Sequence, residues 1–212
     1  SFGLACAALG SGATLAVLPA LERAPLAAEA IAQQPEGDAF DMEAMVATMM
    51  KLAEPGPQHK ALCEAAGSWE AKMEFQWDPT AQPDVTYGSM ECKPILGGRY
   101  TVSTFKGEVV MPTGKVPFEG FGINGYDNMT NEYFTVWCDT MSTKVMVMRG
   151  KGDDAAKKVT LEGMNNTPMG EWPMKMVISR DGTDNMVDAF WEPNPATGEM
   201  MNTGSITYTR KK

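Results

Sequence analysis

From Ser68 onward the side chains alternate with a period of two, and no other feature constrains the fold as strongly. Trp69, Ala71, Met73, Phe75 and Trp77 alternate with Ser68, Glu70, Lys72, Glu74 and Gln76, which places them on opposite faces of a strand. Similar segments follow at Asp84–Ile95, Arg99–Val109, Val116–Tyr126, Asn131–Asp139, Lys144–Lys151, Lys157–Met164, Glu171–Arg180, Asn185–Glu192 and Asn202–Arg210. Turn formers separate them, among them Gly97-Gly98, Pro112-Thr113-Gly114, Asp181-Gly182 and Pro195-Ala196-Thr197-Gly198. In the central hairpin, Asp127 to Asn131 forms the turn. Tyr133, Thr135, Trp137 and Asp139 then share one face, and Phe134, Val136 and Cys138 the other. Ten strands in one open sheet would leave two long unpaired edges. An antiparallel, up-and-down β-barrel over 67–212 is therefore expected, with a two-sheet sandwich as the alternative.

The segments before the barrel read differently. Phe2 to Pro19 is nearly uncharged and is followed by the small-residue sites Ala28-Glu29-Ala30 and Ala30-Ile31-Ala32. This pattern predicts a signal peptide within 1–32, and hence a periplasmic or extracellular protein, with an uncleaved membrane anchor as the alternative. Residues 33–40 read as a polar linker. Asp41 to Ala53 has a helical period that lines up Met42, Met45, Met49 and Leu52, and Pro55-Gly56-Pro57 stops it. A second short helix is expected over Gln58 to Ala66. Together 41–66 are predicted to cap one barrel end, the first helix closing it with its methionine face.

Composition narrows the chemistry. The net charge is −9 with no basic stripe, which argues against nucleic acid or an anionic membrane surface as a partner. Membrane contact is expected only through an uncleaved leader. None of Cys6, Cys63, Cys92 and Cys138 forms a C-x-x-C pair, and His59 is the single histidine. Zinc frameworks are thereby excluded, no metal or other cofactor is expected, and haem has no late-strand histidine to hold it. His59, at a helix start, reads as a capping or packing residue. Cys63, Cys92 and Cys138 read as three unpaired buried thiols, since Cys92 and Cys138 lie inside strand patterns, with one disulfide plus an odd thiol as the alternative. The eighteen methionines are dispersed and read as adaptable core filler.

Gly67-Ser68-Trp69, opening the first strand after a short helix, resembles the Gly-x-Trp signature of calycins. The resemblance implies that Trp69 plugs the barrel base and that Arg210, in Tyr208-Thr209-Arg210, lies across it. A wider set of motifs is similar to the bacterial family called domain of unknown function 1579. It comprises Pro57-Gln58-His59-Lys60, Leu96-Gly97-Gly98-Arg99-Tyr100, Phe118-Glu119-Gly120, Gly125-Tyr126-Asp127 and Trp137-Cys138-Asp139-Thr140-Met141, with the closing Tyr208-Thr209-Arg210-Lys211. That likeness implies a lipocalin-like barrel, often exported, and carries no agreed activity.

Trp77, Tyr100, Phe118, Tyr133, Trp137, Met146, Met176 and Phe190 are the candidates for an apolar interior. They would either fill the barrel or line a pocket for a small, largely apolar ligand. Arg99, Glu91, Glu119 and Asp139 are the candidate polar anchors, because a buried carboxylate needs a partner and Arg99 is the cation at hand. Three functions follow: a ligand-binding barrel; an acid–base enzyme using Glu119 or Asp139 with Arg99; or a filled barrel whose methionine-rich helix docks on a partner.

Overall fold

A computed structural model describes residues 41–76, 81–153, 155–168 and 170–212. Residues 43–212 make one compact unit. Ten antiparallel strands run in chain order: β1 (Gly67–Phe75), β2 (Asp84–Ile95), β3 (Tyr100–Met111), β4 (Gly114–Asp127), β5 (Glu132–Asp139), β6 (Met146–Gly152), β7 (Lys158–Thr167), β8 (Gly170–Asp181), β9 (Asn185–Pro193) and β10 (Met200–Arg210). Each strand pairs with the next, and β10 returns to β1 with Trp69 opposite Arg210 and Phe75 opposite Gly204. The barrel is closed, so no sheet edge is left unpaired. The sandwich alternative falls on that pairing.

The hairpin between β4 and β5 turns as its residues dictate. The Asp127 carboxylate accepts the Met129 and Thr130 amides at 2.8 and 3.4 Å, and Asn131 adopts a left-handed φ of 54°. Asn128 then donates to the carbonyls of Leu52 and Glu54 at 2.8 and 2.9 Å. That pair of bonds ties the end of α1 (Met42–Leu52) to the barrel rim.

α1 does not close the barrel. It has no buried residue, and Met45, Met49 and Met50 stay exposed, Met50 at 67 %. The expected closure by its methionine face is therefore corrected: α2 (Pro57–Cys63) supplies it. α2 packs on β3 and β4 and buries His59, Ala61 and Leu62. His59 Nδ1 accepts the Gly56 amide at 3.0 Å, capping the helix, and the ring donates to the Tyr126 carbonyl. The ring also meets Tyr126 edge-on at 5.8 Å.

Beneath α2, Trp69 is 2 % exposed and donates from Nε1 to Ala65 O at 3.0 Å. Arg210 lies over the indole at 4.2 Å and donates to the carbonyls of Ala66, Glu64 and Thr183 at 2.6, 2.8 and 2.8 Å. A cation stacked on a desolvated indole while satisfying three carbonyls links the first and last strands to the chain that enters the barrel. Cys63, Cys92 and Cys138 are free thiols. Cys138 is exposed, contrary to the expected burial, because β5 turns that face outward; Cys6 lies outside the described residues.

Candidate functional site

Inside the barrel is a cavity of about 570 Å³, within the range of small-molecule sites. Its walls come from inward positions spaced by two: Met73 on β1, Phe105 on β3, Phe118 on β4, Trp137 on β5, Met146 on β6, Met176 and Ile178 on β8, Phe190 on β9. Polar groups gather at the two ends of this apolar band. The end away from α2 is the mouth, where β5, β7 and β9 finish and β6 and β8 begin.

At the mouth, the Trp137 indole donates from Nε1 to Asp139 Oδ2 at 2.9 Å, and Asp139 Oδ1 accepts the Met141 amide at 2.9 Å. The indole lies over Gly120 and Gly122; a Cβ at Gly120 would stand 2.1 Å from Trp137 Cζ2. Small residues on β4 thus make the room in which the ring packs. Lys144 Nζ donates to Asn165 Oδ1 and, at 2.9 Å, to Asn166 O. Glu192 is also at the mouth, its carboxyl raised above the usual range by burial against the opposing pull of Lys144.

The floor, toward α2, carries the less expected chemistry. Asp188 lies on β9 between Met186 and Phe190, facing in, with Ile178 and Ile206 opposite it on the neighbouring strands. Its Oδ1 is buried, and burial pushes the carboxyl pKa up to about 7 against the lowering effects of Arg180 and the Tyr208 hydroxyl. Tyr208, on β10, is held well above its ordinary value by the same burial and by Asp188. Arg180, on β8, donates from Nη1 to Ala61 O at 2.6 Å and so joins the floor to α2. Burial lowers its pKa while Asp188 opposes that effect. Among the described residues, two buried side-chain atoms have no hydrogen-bond partner: Arg180 Nε and Asp188 Oδ1. Cys92, also at the floor, keeps its thiol proton because burial raises its pKa despite Ser103 and Thr101.

The expected interior residues divide accordingly. Phe118, Tyr133, Trp137, Met146, Met176 and Phe190 all line the cavity. Tyr100 does not: it alternates with the inward Thr101 and Ser103 and packs against Phe134 at 6.1 Å. Trp77 lies outside the described residues. Of the polar candidates only Asp139 reaches the cavity. Glu91 is on the outer face of β2, accepting from Ser68 Oγ at 2.9 Å, because Met90 and Cys92 take the inward positions. Glu119 faces outward and pairs with Lys106 at 3.3 Å. Arg99 precedes β3 and donates to the carbonyls of Ala53 and Leu96 at 3.0 and 3.2 Å. Arg99 therefore anchors α1, and the grouping of Arg99 with interior carboxylates is corrected.

Asp188, Arg180 and Tyr208 were not among the expected residues, although the signal existed. Met186, Asp188, Phe190 and Glu192 share one strand face, as do Met174, Met176, Ile178 and Arg180. A charge at the next position of an otherwise apolar face is a buried charge whenever that face points in.

Comparison with known proteins agrees with this architecture. The sequence model of a family described as "Protein of unknown function (DUF1579)" matches residues 54–210. The crystal structure of Rv2717c from M. tuberculosis is similar with a TM-score of 0.52 at 14% identity, covering 75% of this chain and 100% of that one. The S-type phycobiliprotein lyase CPES from Guillardia theta has a TM-score of 0.47 at 8% identity, covering 70% of this chain and 89% of that one. No curated protein matches the sequence. The chain belongs to the DUF1579 family and has a lipocalin-like barrel.

Proposed function

We propose that this DUF1579 protein is an exported barrel that binds a small, largely apolar molecule in its interior. The observation that carries the reading is the cavity itself: about 570 Å³ bounded by Phe, Trp, Met and Ile side chains. A barrel whose purpose was only mechanical would gain from filling that space, since dispersion contacts are forfeited along every unfilled wall. The apolar run and small-residue sites before residue 33 support export; mass spectrometry of the mature N-terminus from the native source checks it.

Trp137 tests the binding reading. Its indole forms the wall nearest the mouth and rests on glycine backbone, so truncation removes ligand contacts while leaving the strand pairing intact. Trp137→Ala is expected to weaken binding of a neutral fluorophore such as Nile red by about tenfold or more, corresponding to at least about 1.4 kcal/mol. The change in melting temperature should stay small beside that. Equal affinity of variant and parent would count against the pocket.

Asp188 motivates a second reading, proton transfer by an interior carboxyl. A carboxyl that ionises near neutral pH inside a cavity is suited to general acid–base work. Glu119 is replaced in that role because it lies outside the barrel.

A further inference from the structure

On the reading that the barrel holds an apolar molecule, we infer that this molecule ends in a carboxyl group, seated on the cavity floor between Arg180 and Asp188. The two unpartnered atoms there are one donor, Arg180 Nε, and one acceptor, Asp188 Oδ1. Both residues line the cavity, and among the described residues Arg180 makes no ion pair of 4 Å or less. Leaving such buried groups unpaired forfeits their hydration without replacing it, a loss that a ligand bonding to both recovers.

Charge decides which ligand group fits best. Arg180 keeps a positive charge at neutral pH, and the carboxyl nearest to it resists ionisation. The floor therefore lacks a contact anion. A ligand carboxylate can take one bond from Arg180 Nε and another from a protonated Asp188, whose remaining oxygen accepts from Tyr208. Every polar group is then paired, and opposite charges meet directly. An alcohol could also bridge donor and acceptor. It brings no anion to the cation, however, and leaves the Arg180 charge without a counter-charge in a low-dielectric interior, which is the costlier arrangement.

The titratable groups around this point are Arg180 from β8, Tyr208 from β10, Cys92 from β2, Tyr133 from β5 and Glu64 after α2. Tyr208 and Cys92 keep their protons near neutral pH. Asp188 is the group positioned to take up a proton when the carboxylate arrives. Binding should accordingly weaken as pH rises past the point where Asp188 ionises in the free protein.

The test is calorimetric titration of the whole protein with dodecanoate and with dodecan-1-ol, in buffers of differing ionisation enthalpy. Dodecanoate should bind at least about tenfold tighter near pH 6, take up about one proton above neutrality, and weaken about tenfold per pH unit there. Asp188→Asn supplies a permanent N–H donor and should bind dodecanoate with an affinity that no longer changes over this range. Arg180→Met should bring dodecanoate down to the level of dodecan-1-ol. If Arg180→Met does not fold, the proton uptake of the parent and the flat profile of Asp188→Asn still decide. Equal affinity for acid and alcohol, or no proton uptake by the parent, overturns the inference. Nile red bound without any preference for the acid rejects the carboxyl alone; no binding of Nile red or either twelve-carbon probe rejects the interior site as well.

Discussion

Replacing Asp188 with Asn should make the protein more stable at and above neutral pH, by an amount that grows as pH rises toward about 7 and then levels off. In the unfolded chain the Asp188 carboxyl ionises near 3.8, whereas burial in the folded barrel delays this to about 7. Below both values the two states are protonated and there is no penalty. Between them the unfolded state loses its proton while the folded state keeps it, so stability falls by about 1.4 kcal/mol per pH unit. Above 7 both are ionised and the loss is complete at about 4 kcal/mol. Asn has no such titration. Its amide keeps an acceptor for Tyr208 but leaves N–H groups facing the unpartnered Arg180 Nε, a cost of about 1 kcal/mol that does not vary with pH. The sequence pI is about 4.7, so urea unfolding is best followed from ~pH 5.5 upward to keep the protein charged. Between there and ~pH 8, the free-energy difference between variant and parent should shift by about 2 kcal/mol in favour of the variant. Glu192 and His59 titrate in both proteins and cancel in that difference. A difference that stays constant with pH would refute the burial argument for Asp188.

Arg210→Lys should cost about 2–4 kcal/mol in denaturant unfolding, because one ammonium cannot replace a guanidinium that bonds three carbonyls while stacked on Trp69; a loss below 0.5 kcal/mol, on the order of an ordinary surface change, would contradict that role. His59 has its pKa lowered from 6.5, chiefly by burial, so its contribution to stability is present above that value and is lost as pH falls through it. The parent should therefore lose stability relative to His59→Gln on acidification from ~pH 7.5 to ~pH 5.5, and parallel stability curves would argue against this. Met49→Gln combined with Met50→Gln should change unfolding free energy by no more than about 0.5 kcal/mol, because both side chains lie in water; a large loss would mean that α1 does seal the barrel.

The barrel was legible because its determinants are local. A period of two and the turn residues mark each strand, and sheet closure follows from the cost of open edges. The inward face of β5 could be read as Tyr133, Thr135 and Trp137 because aromatic and apolar groups stood at alternate positions. The polar site was harder. Arg99, Glu91 and Glu119 were grouped because a buried carboxylate needs a cation, yet β2 and β4 turn Glu91 and Glu119 outward and Arg99 falls before β3 begins. Whether a lone charge on an apolar face is a buried anchor depends on which neighbours meet it across the sheet. Asp188, Arg180 and Tyr208 converge only through the pairing of β8, β9 and β10. The helical segment misled for a related reason: α1 has an apolar face, but sequence periodicity does not say what covers it. Bonds from Arg99 and Asn128 fix its end at the rim instead.

Methionine is distributed so that one spectrum separates interior binding from binding to α1. Met146, Met174, Met176 and Met186 line the cavity, whereas Met45, Met49, Met50 and Met129 are exposed. With ¹³C-methyl-methionine protein titrated with a neutral apolar ligand, the account expects the methyl signals of Met146, Met174, Met176 and Met186 to move together while those of Met45, Met49, Met50 and Met129 stay in place. Shifts confined to the α1 methionines, with the interior signals unmoved, would contradict it.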